Sequence, residues 1–316
     1  MSRPAPGNVK RIASIGAGPI GAGWAAHFLA QGYDVNAYIH SMNEKAAFGK
    51  ILDTAWINLE ELGLAPGASR DRLTLTDDLA EAVGTAGFVQ ESAPERLDLK
   101  QALYEKLGDL VPADIVIASS TSGLTMTDIQ ATCGTPERTV VGHPFNPPYL
   151  LPLVEIVGGA KTSPDAVRWT HDFYAAAGKA PLVMKKEIPG FVATRLQEAL
   201  WREALHMVAN GEATPADIDT ALINGPAPRM AFQGQCMAFH VACGEGGMAT
   251  NLDQFGPALK LPWTRLKAPE LTPELRDRMV DGCNAIAGDR HFEDMAAERD
   301  RAIVAILKAV RSVRDG

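Results

Sequence analysis

The chain is expected to be an α/β protein, a doubly wound parallel sheet followed by an all-helical domain. Three features predict this. Short apolar runs alternate with helical stretches over residues 1–187. The first of those runs opens directly into a glycine-rich turn. Beyond Lys186 the apolar spacing is that of helices alone.

Arg11 to Ile15 reads as a buried strand running into GAGPIGAG, Gly16 to Gly23. A helix from Trp24 to Gln31 is stopped by Gly32, and a second strand spans Asp34 to Ile39. A long helix, Glu44 to Leu62, ends at Gly63. Further strands are expected at Leu73–Leu75, Gly87–Glu91, Ile115–Ser119, Val140–His143 and Leu153–Val157. Helices at Asp78–Val83 and Leu97–Leu110 fall among them. Ile188-Pro189-Gly190 breaks the pattern, which places a domain boundary at residue 187. The second domain, 188–316, begins with an amphipathic helix from Phe191 to Asn210, closed by Gly211. Thr214-Pro215 and Thr272-Pro273 each carry the cap-then-proline signature of a helix start, and Phe292 to Val313 forms the last helix.

The 316 residues are 46% hydrophobic and 22% charged, the balance of a globular protein, and the net charge is -8. An acidic chain is a poor partner for nucleic acid, which needs a basic face. The four cysteines form no CxxC pair, which speaks against zinc or a disulfide scaffold and for a reducing cytoplasm. No metal site is expected. The N-terminus has no apolar stretch resembling a secretory leader, and no run is long enough to span a membrane.

Three motifs carry chemistry. In Gly16-x-Gly18-x-x-Gly21, the first glycine permits a tight turn and the second lets the backbone approach a pyrophosphate. The third allows helix and strand to pack closely, the helix N-terminus favours negative charge, and Pro19 and Ile20 between the glycines are counted with them at the cofactor. A Rossmann dinucleotide site follows. An acid is expected at the end of the second strand to hold the ribose, yet Ile39 stands there. His40 and Ser41 are the next polar groups, so NAD is expected with NADP left open. The second motif is the hydroxyl-rich loop Ser119-Ser120-Thr121-Ser122-Gly123, at a strand end where crevice loops lie. Ser122 can donate to a substrate oxygen, or the loop can simply cap a helix. The third is Gly142-His143-Pro144-Phe145-Asn146-Pro147-Pro148, followed by Leu153-Val154-Glu155-Ile156-Val157. Removing a hydroxyl proton during hydride transfer needs a base that titrates near neutrality, which His143 supplies. A lone carboxylate in an apolar strand needs a partner, and Glu155 would orient the imidazole.

At these residues the chain resembles the 3-hydroxyacyl-CoA dehydrogenase superfamily over nearly its whole length. The carrying stretches are GAGPIGAGWAAHFLAQG, QESAPERLDLK, SSTSGL, GHPFNPPYLLPLVEIVGG and KEIPGFVATRLQEALWREALHMV. ALWREALH and QFGPALKLPWT are similar to the branch acting on L-carnitine, with the L-gulonate branch next. The resemblance implies that His143 and Glu155 form the catalytic pair and that Ser122 contacts substrate. It puts Asn146 near the nicotinamide, and Glu95, Lys100 and Ser120 at the cofactor. Thr194, in PGFVATR, stands where the acyl-CoA enzymes carry an Asn. That departure favours a small free 3-hydroxy acid over a short 3-hydroxyacyl-CoA. A quaternary ammonium substrate would be held by aromatic faces. Candidates are Phe145, Tyr149, Trp201, Phe232, Phe239 and Trp263, with Arg202 or Arg229 for a carboxylate. Aromatic packing in the core or a dimer is the competing role for each. A homodimer through the helical domain is also implied. A relative that serves as a lens protein leaves open a dinucleotide-binding chain without a reaction.

Overall fold

The computed structural model describes residues 3–231, 234–243, 245, 247–257, 261–265, 267, 270 and 272–314. Contacts divide the chain into two compact units, Met1–Val192 and Ala193–Gly316.

The first unit is built on an eight-stranded sheet. Its strands are β1 (Arg11–Ile15), β2 (Asp34–Tyr38), β3 (Leu73–Thr76), β4 (Phe88–Glu91), β5 (Ile117–Ser119), β6 (Thr139–Pro144), β7 (Leu153–Gly158) and β8 (Ala180–Val183), in the order β3-β2-β1-β4-β5-β6-β7-β8. The order reverses direction between β1 and β4, which opens a crevice beyond their carboxyl ends. The helices are α1 (Pro19–Ala30), α2 (Lys45–Leu62), α3 (Leu79–Val83), α4 (Leu97–Leu110), α5 (Met126–Ile129) and α6 (Pro164–Ala176). One side of the core holds Tyr104, Leu107, Ile117, Met126 and Phe191. Another aromatic layer is made by Trp24, Phe28, Phe88, Phe173 and Tyr174, with Phe88 and Phe173 centroids 4.1 Å apart.

The structure departs from the sequence reading in three places. Helix α1 starts at Pro19 rather than Trp24, because proline is suited to a first helical position, so Gly21 and Gly23 lie inside it. The sheet is not parallel throughout. Strands β1 to β6 are parallel, but β7 runs antiparallel to β6, and β8 follows β7. The link between β6 and β7, residues 145–152, is too short for a parallel crossover. Finally, α6 and β8 were not anticipated. The Ser163-Pro164 cap marks the helix, while β8 is an exposed edge strand without alternating polarity.

Two buried cations tie down the frame around the crevice. The Arg138 guanidinium donates to the carbonyls of Gly108, Val111, Pro112 and Ile115 at 2.7–3.2 Å, joining the end of α4 to the entry of β5. Lys179 precedes β8 and is 8% exposed. Its ammonium donates to the carbonyls of Pro148 and Leu151, the latter at 3.2 Å, and lies 5.0 Å from the Trp24 ring centroid. It thereby joins α1 to the loop after β6, which contains the cis peptide Asn146-Pro147. Among the described residues, no helix is long and apolar enough to cross a membrane.

In the second unit, α7 (Val192–Ala209, entered from the first unit) is followed by α8 (Pro215–Asn224), α9 (Ala227–Met230), α10 (Gln235–Ala242), α11 (Gly247–Phe255), α12 (Pro273–Ala287) and α13 (Phe292–Arg314). Thr214 caps α8 in a capping box with Asp217. On α7, Leu196, Leu200 and Trp201 are exposed, as is Ile223 on α8.

Arg138→Met should cost roughly 3 kcal/mol or more, because four carbonyls lose a charged donor; urea unfolding measures this. Burial takes the Lys179 ammonium down from 10.5 to about 7. Between those values the unfolded chain binds more protons than the folded one, so this group makes stability rise with pH. The Tm advantage of wild type over Lys179→Met should therefore grow from pH 7 to pH 9.5. A difference that stays constant across that range would contradict the assignment.

Candidate active site

The glycine turn lies at the mouth of the crevice. Gly16 has φ +120°, and a Cβ there would come within 2.6 Å of the Ser92 carbonyl after β4. Only glycine suits that close crossing of two loops. A Cβ on Gly21 would collide with the Gly16 carbonyl, which explains how α1 can pack so near β1. A Cβ on Gly18 would meet nothing within 4 Å. Gly18 is also the N-cap of α1, and no side chain caps that end. Open space beside an uncapped helix N-terminus fits a pyrophosphate, so these residues suit a dinucleotide.

At the end of β2 the Ile39 side chain is fully buried, and its N–H donates to the Thr76 carbonyl at 3.0 Å. The position that often carries a ribose-binding acid therefore belongs to the core. His40 is exposed beyond it. The Ser41 hydroxyl accepts from the Asn43 N–H at 3.3 Å, while the Ser41 N–H donates to Glu44 at 3.3 Å. Ser41 thus caps the turn that leads into α2 and keeps its own hydroxyl proton for another partner.

The wall formed by β4 and β5 is a chain of polar contacts. Glu91 is fully buried and accepts from Lys100 Nζ at 2.6 Å, from the Ser119 hydroxyl at 2.6 Å and from the Ala93 N–H at 2.6 Å. Lys100, also buried, reaches Glu95 at 3.7 Å and the Ala93 carbonyl at 3.1 Å. Glu95 Oε1 then accepts from the Thr121 hydroxyl at 2.6 Å and from the N–H groups of Ser122 and Gly123 at 2.9 and 3.0 Å. Burial alone would raise the Glu95 pKa. The Thr121 hydroxyl, the Lys100 ammonium and the two N–H groups outweigh it, and the carboxyl lies below its ordinary value. Glu95 therefore shapes the loop bearing Ser122, and Lys100 stands behind Glu95. Ser120 faces another network: its hydroxyl accepts from Gln90 Nε2 at 2.8 Å and Trp24 Nε1 at 3.2 Å, and shares a bond with Ser92 at 2.9 Å. Gln90 in turn accepts from the Tyr174 hydroxyl at 2.5 Å.

His143 sits near the end of β6, only 6% exposed. Its Nδ1 lies 2.9 Å from Glu155 Oε2 on β7, and the two residues are direct register partners. A carboxylate only accepts, so Nδ1–H donates to Glu155, and Nε2 is the ring nitrogen that this contact leaves unengaged. The second Glu155 oxygen accepts from the Val192 N–H at 2.8 Å. Two rings touch the imidazole: Phe145 at 5.5 Å between centroids and Phe191 at 5.2 Å. Asn146 is exposed on the following loop, while Tyr149 is buried there.

Thr194, Trp201 and Arg202 lie on α7 in the second unit. Thr194 is half-buried. Trp201 lines a groove with Leu200, Pro215, Ile218 and Leu222. Arg202 Nε lies 3.8 Å from Glu198, one helical turn away. Arg229, Phe239 and Trp263 are exposed. Phe232 lies outside the described residues.

Sequence reasoning passed over Glu91, Phe191 and the Gln90–Tyr174 pair. Glu91 was detectable, since a carboxylate ending the apolar run GFVQE poses the same question as Glu155. Nothing in the sequence distinguishes Phe191 from core filler.

The NAD-binding domain of 3-hydroxyacyl-CoA dehydrogenase matches residues 11–188, and the C-terminal domain of the same family matches residues 190–278. An L-carnitine dehydrogenase of Streptomyces griseus is 57% identical over 96% of this chain and 91% of its own length. One from Pseudomonas aeruginosa is 47% identical over 97% of this chain and 95% of its length. Among solved structures, an NAD+-dependent 5-formyl-3-hydroxy-2-methylpyridine 4-carboxylic acid 5-dehydrogenase superposes with a TM-score of 0.81 at 29% identity, covering 98% of this chain and 99% of that one. A 3-hydroxybutyryl-CoA dehydrogenase from Escherichia coli gives a TM-score of 0.65 at 26% identity, covering 87% of this chain and 57% of that one. The chain belongs to the 3-hydroxyacyl-CoA dehydrogenase family.

Proposed function

We propose that this chain oxidises the 3-hydroxyl of L-carnitine to the ketone, with NAD+ as hydride acceptor and His143 as base. The observation that carries the reading is the 2.9 Å contact of His143 Nδ1 with buried Glu155, at the carboxyl end of β6. The substrate class is supported by similarity to L-carnitine dehydrogenases along nearly the whole chain.

Bound NAD+ supplies the hydride acceptor, the C4 carbon of its nicotinamide ring. Gly16, Gly18, Pro19, Ile20 and Gly21 would hold its pyrophosphate, and His40 and Ser41 its ribose. Asn146 and Ser120 would line the nicotinamide end, with Glu95 and Lys100 shaping the wall beside it. His143 Nε2 takes the hydroxyl proton as the carbinol hydrogen leaves as hydride. The imidazolium so formed is stabilised by the Glu155 carboxylate. Ser122 donates to the substrate oxygen, and its loop is held in place by Glu95. Phe145 and Tyr149 offer ring faces to the trimethylammonium group.

Residues 1–187 would carry the cofactor, and the helical domain 188–316 would contribute substrate binding and a homodimer interface. Exposed Leu196, Leu200 and Ile223 are apolar surface of the kind that a second copy covers. We place the enzyme in the cytoplasm.

His143→Gln should lower kcat about 100-fold or more while NADH affinity stays within two-fold, measured by steady-state kinetics and fluorescence titration. Glu155→Gln should lower kcat by at least ten-fold with the same cofactor affinity. Turnover close to wild type in either variant would end the assignment. In a panel of L-carnitine, L-gulonate and a short 3-hydroxyacyl-CoA, each with NAD+ and NADP+, L-carnitine with NAD+ should give the highest kcat/KM. Failure to turn over L-carnitine with either cofactor would overturn the substrate reading and leave the base untouched.

A further inference from the structure

The segment Ile188-Pro189-Gly190 leads into α7 through two successive residues in the left-handed region, Gly190 at φ +75° and Phe191 at φ +49°. Glycine takes that conformation freely, whereas a residue with a Cβ and an aromatic ring does so only where its surroundings compel it. Phe191 is nonetheless 2% exposed, with its N–H donating to the Ile188 carbonyl at 3.2 Å. Its ring packs in the core cluster with Ile15, Val141 and Val157.

From this strained position the chain touches both members of the His143–Glu155 pair. The Phe191 ring lies 5.2 Å from the imidazole centroid, tilted by 46°. The next residue, Val192, donates its N–H to Glu155 Oε1 at 2.8 Å, while Oε2 faces His143 Nδ1. The imidazole can still rotate about its side-chain bonds with only one nitrogen tied to a carboxylate. An aromatic ring packed at a tilt against the imidazole restricts that rotation, and the left-handed backbone at 191 is what brings the ring there.

We infer that Phe191 is a positioning residue, acting through His143 by holding the imidazole plane so that Nε2 stays aimed at the substrate hydroxyl. The inference rests on His143 and Glu155 being the proton-transfer pair. Phe191 touches neither substrate nor cofactor in this role. Its replacement should therefore affect kcat and leave cofactor affinity alone.

The test is a double-mutant cycle with the full-length enzyme, using Phe191→Leu and His143→Gln. Leucine keeps apolar bulk and loses the flat face. Phe191→Leu should lower kcat five-fold or more, with the KM for NAD+ and the NADH dissociation constant within two-fold of wild type. In the His143→Gln background, where there is no imidazole to hold, the same substitution should change kcat by less than two-fold. A residue serving only the fold would give losses that multiply. A kcat loss under five-fold in the single variant, or any loss of two-fold or more in the double variant, overturns the inference. Phe191→Met is measured alongside to the same thresholds, and if neither variant binds NADH the residue serves the fold and the inference fails. Should His143→Gln alone keep wild-type kcat, the base itself is misassigned, and that outcome is visible in the single variant.

Discussion

The antiparallel pairing of β6 and β7 is the constraint on which the site depends. In an antiparallel ladder, residues that face each other across two strands project to the same side of the sheet. His143 and Glu155 are such partners, and the side chains meet at 2.9 Å. Had β7 continued parallel to β6, no register would oppose these residues across so short a link. The proline-rich loop 145–152 therefore does two things. It forces the reversal, and it holds Phe145, Asn146 and Tyr149 next to the imidazole strand.

A second constraint is charge burial. Glu91, Glu155, Lys100 and Lys179 all lie nearly out of reach of water. Glu91, Glu155 and Lys100 are each met by donors or acceptors placed around them, because an unpaired buried charge would be too costly, whereas burial still takes the Lys179 ammonium down to about 7. Glu91 and Lys100 answer each other, and the pair passes order to Glu95 and so to the loop bearing Ser122. Lys179 has backbone carbonyls and the face of Trp24 in place of a carboxylate. The crevice is thus flanked by two polar arrays, one ordering the hydroxyl-bearing loop after β5 and the other the loop after β6. Preorganised groups of this kind need little rearrangement when charge moves during a reaction.

The turn at Gly190 and Phe191 ends the first unit on the residues that touch the imidazole and its carboxylate. Strain in that turn and order in the His143–Glu155 pair are parts of one arrangement.

Much of this could be read from residues in order. The glycine turn, the strand ends bearing the hydroxyl loop and His143, and the two-part organisation all follow from local rules of periodicity, turn chemistry and helix starts. The pairing of His143 with Glu155 was also inferable, because a carboxylate in an apolar strand must have a partner. What only the tertiary structure decided was direction and depth. Whether β7 runs with or against β6 depends on how a short loop closes in space. Whether Lys100 faces the crevice or backs onto Glu91 depends on how α4 lies over β4 and β5. The part of Phe191 depends on a backbone conformation that its type disfavours, and such an override comes from packing across the whole unit, which no local pattern encodes.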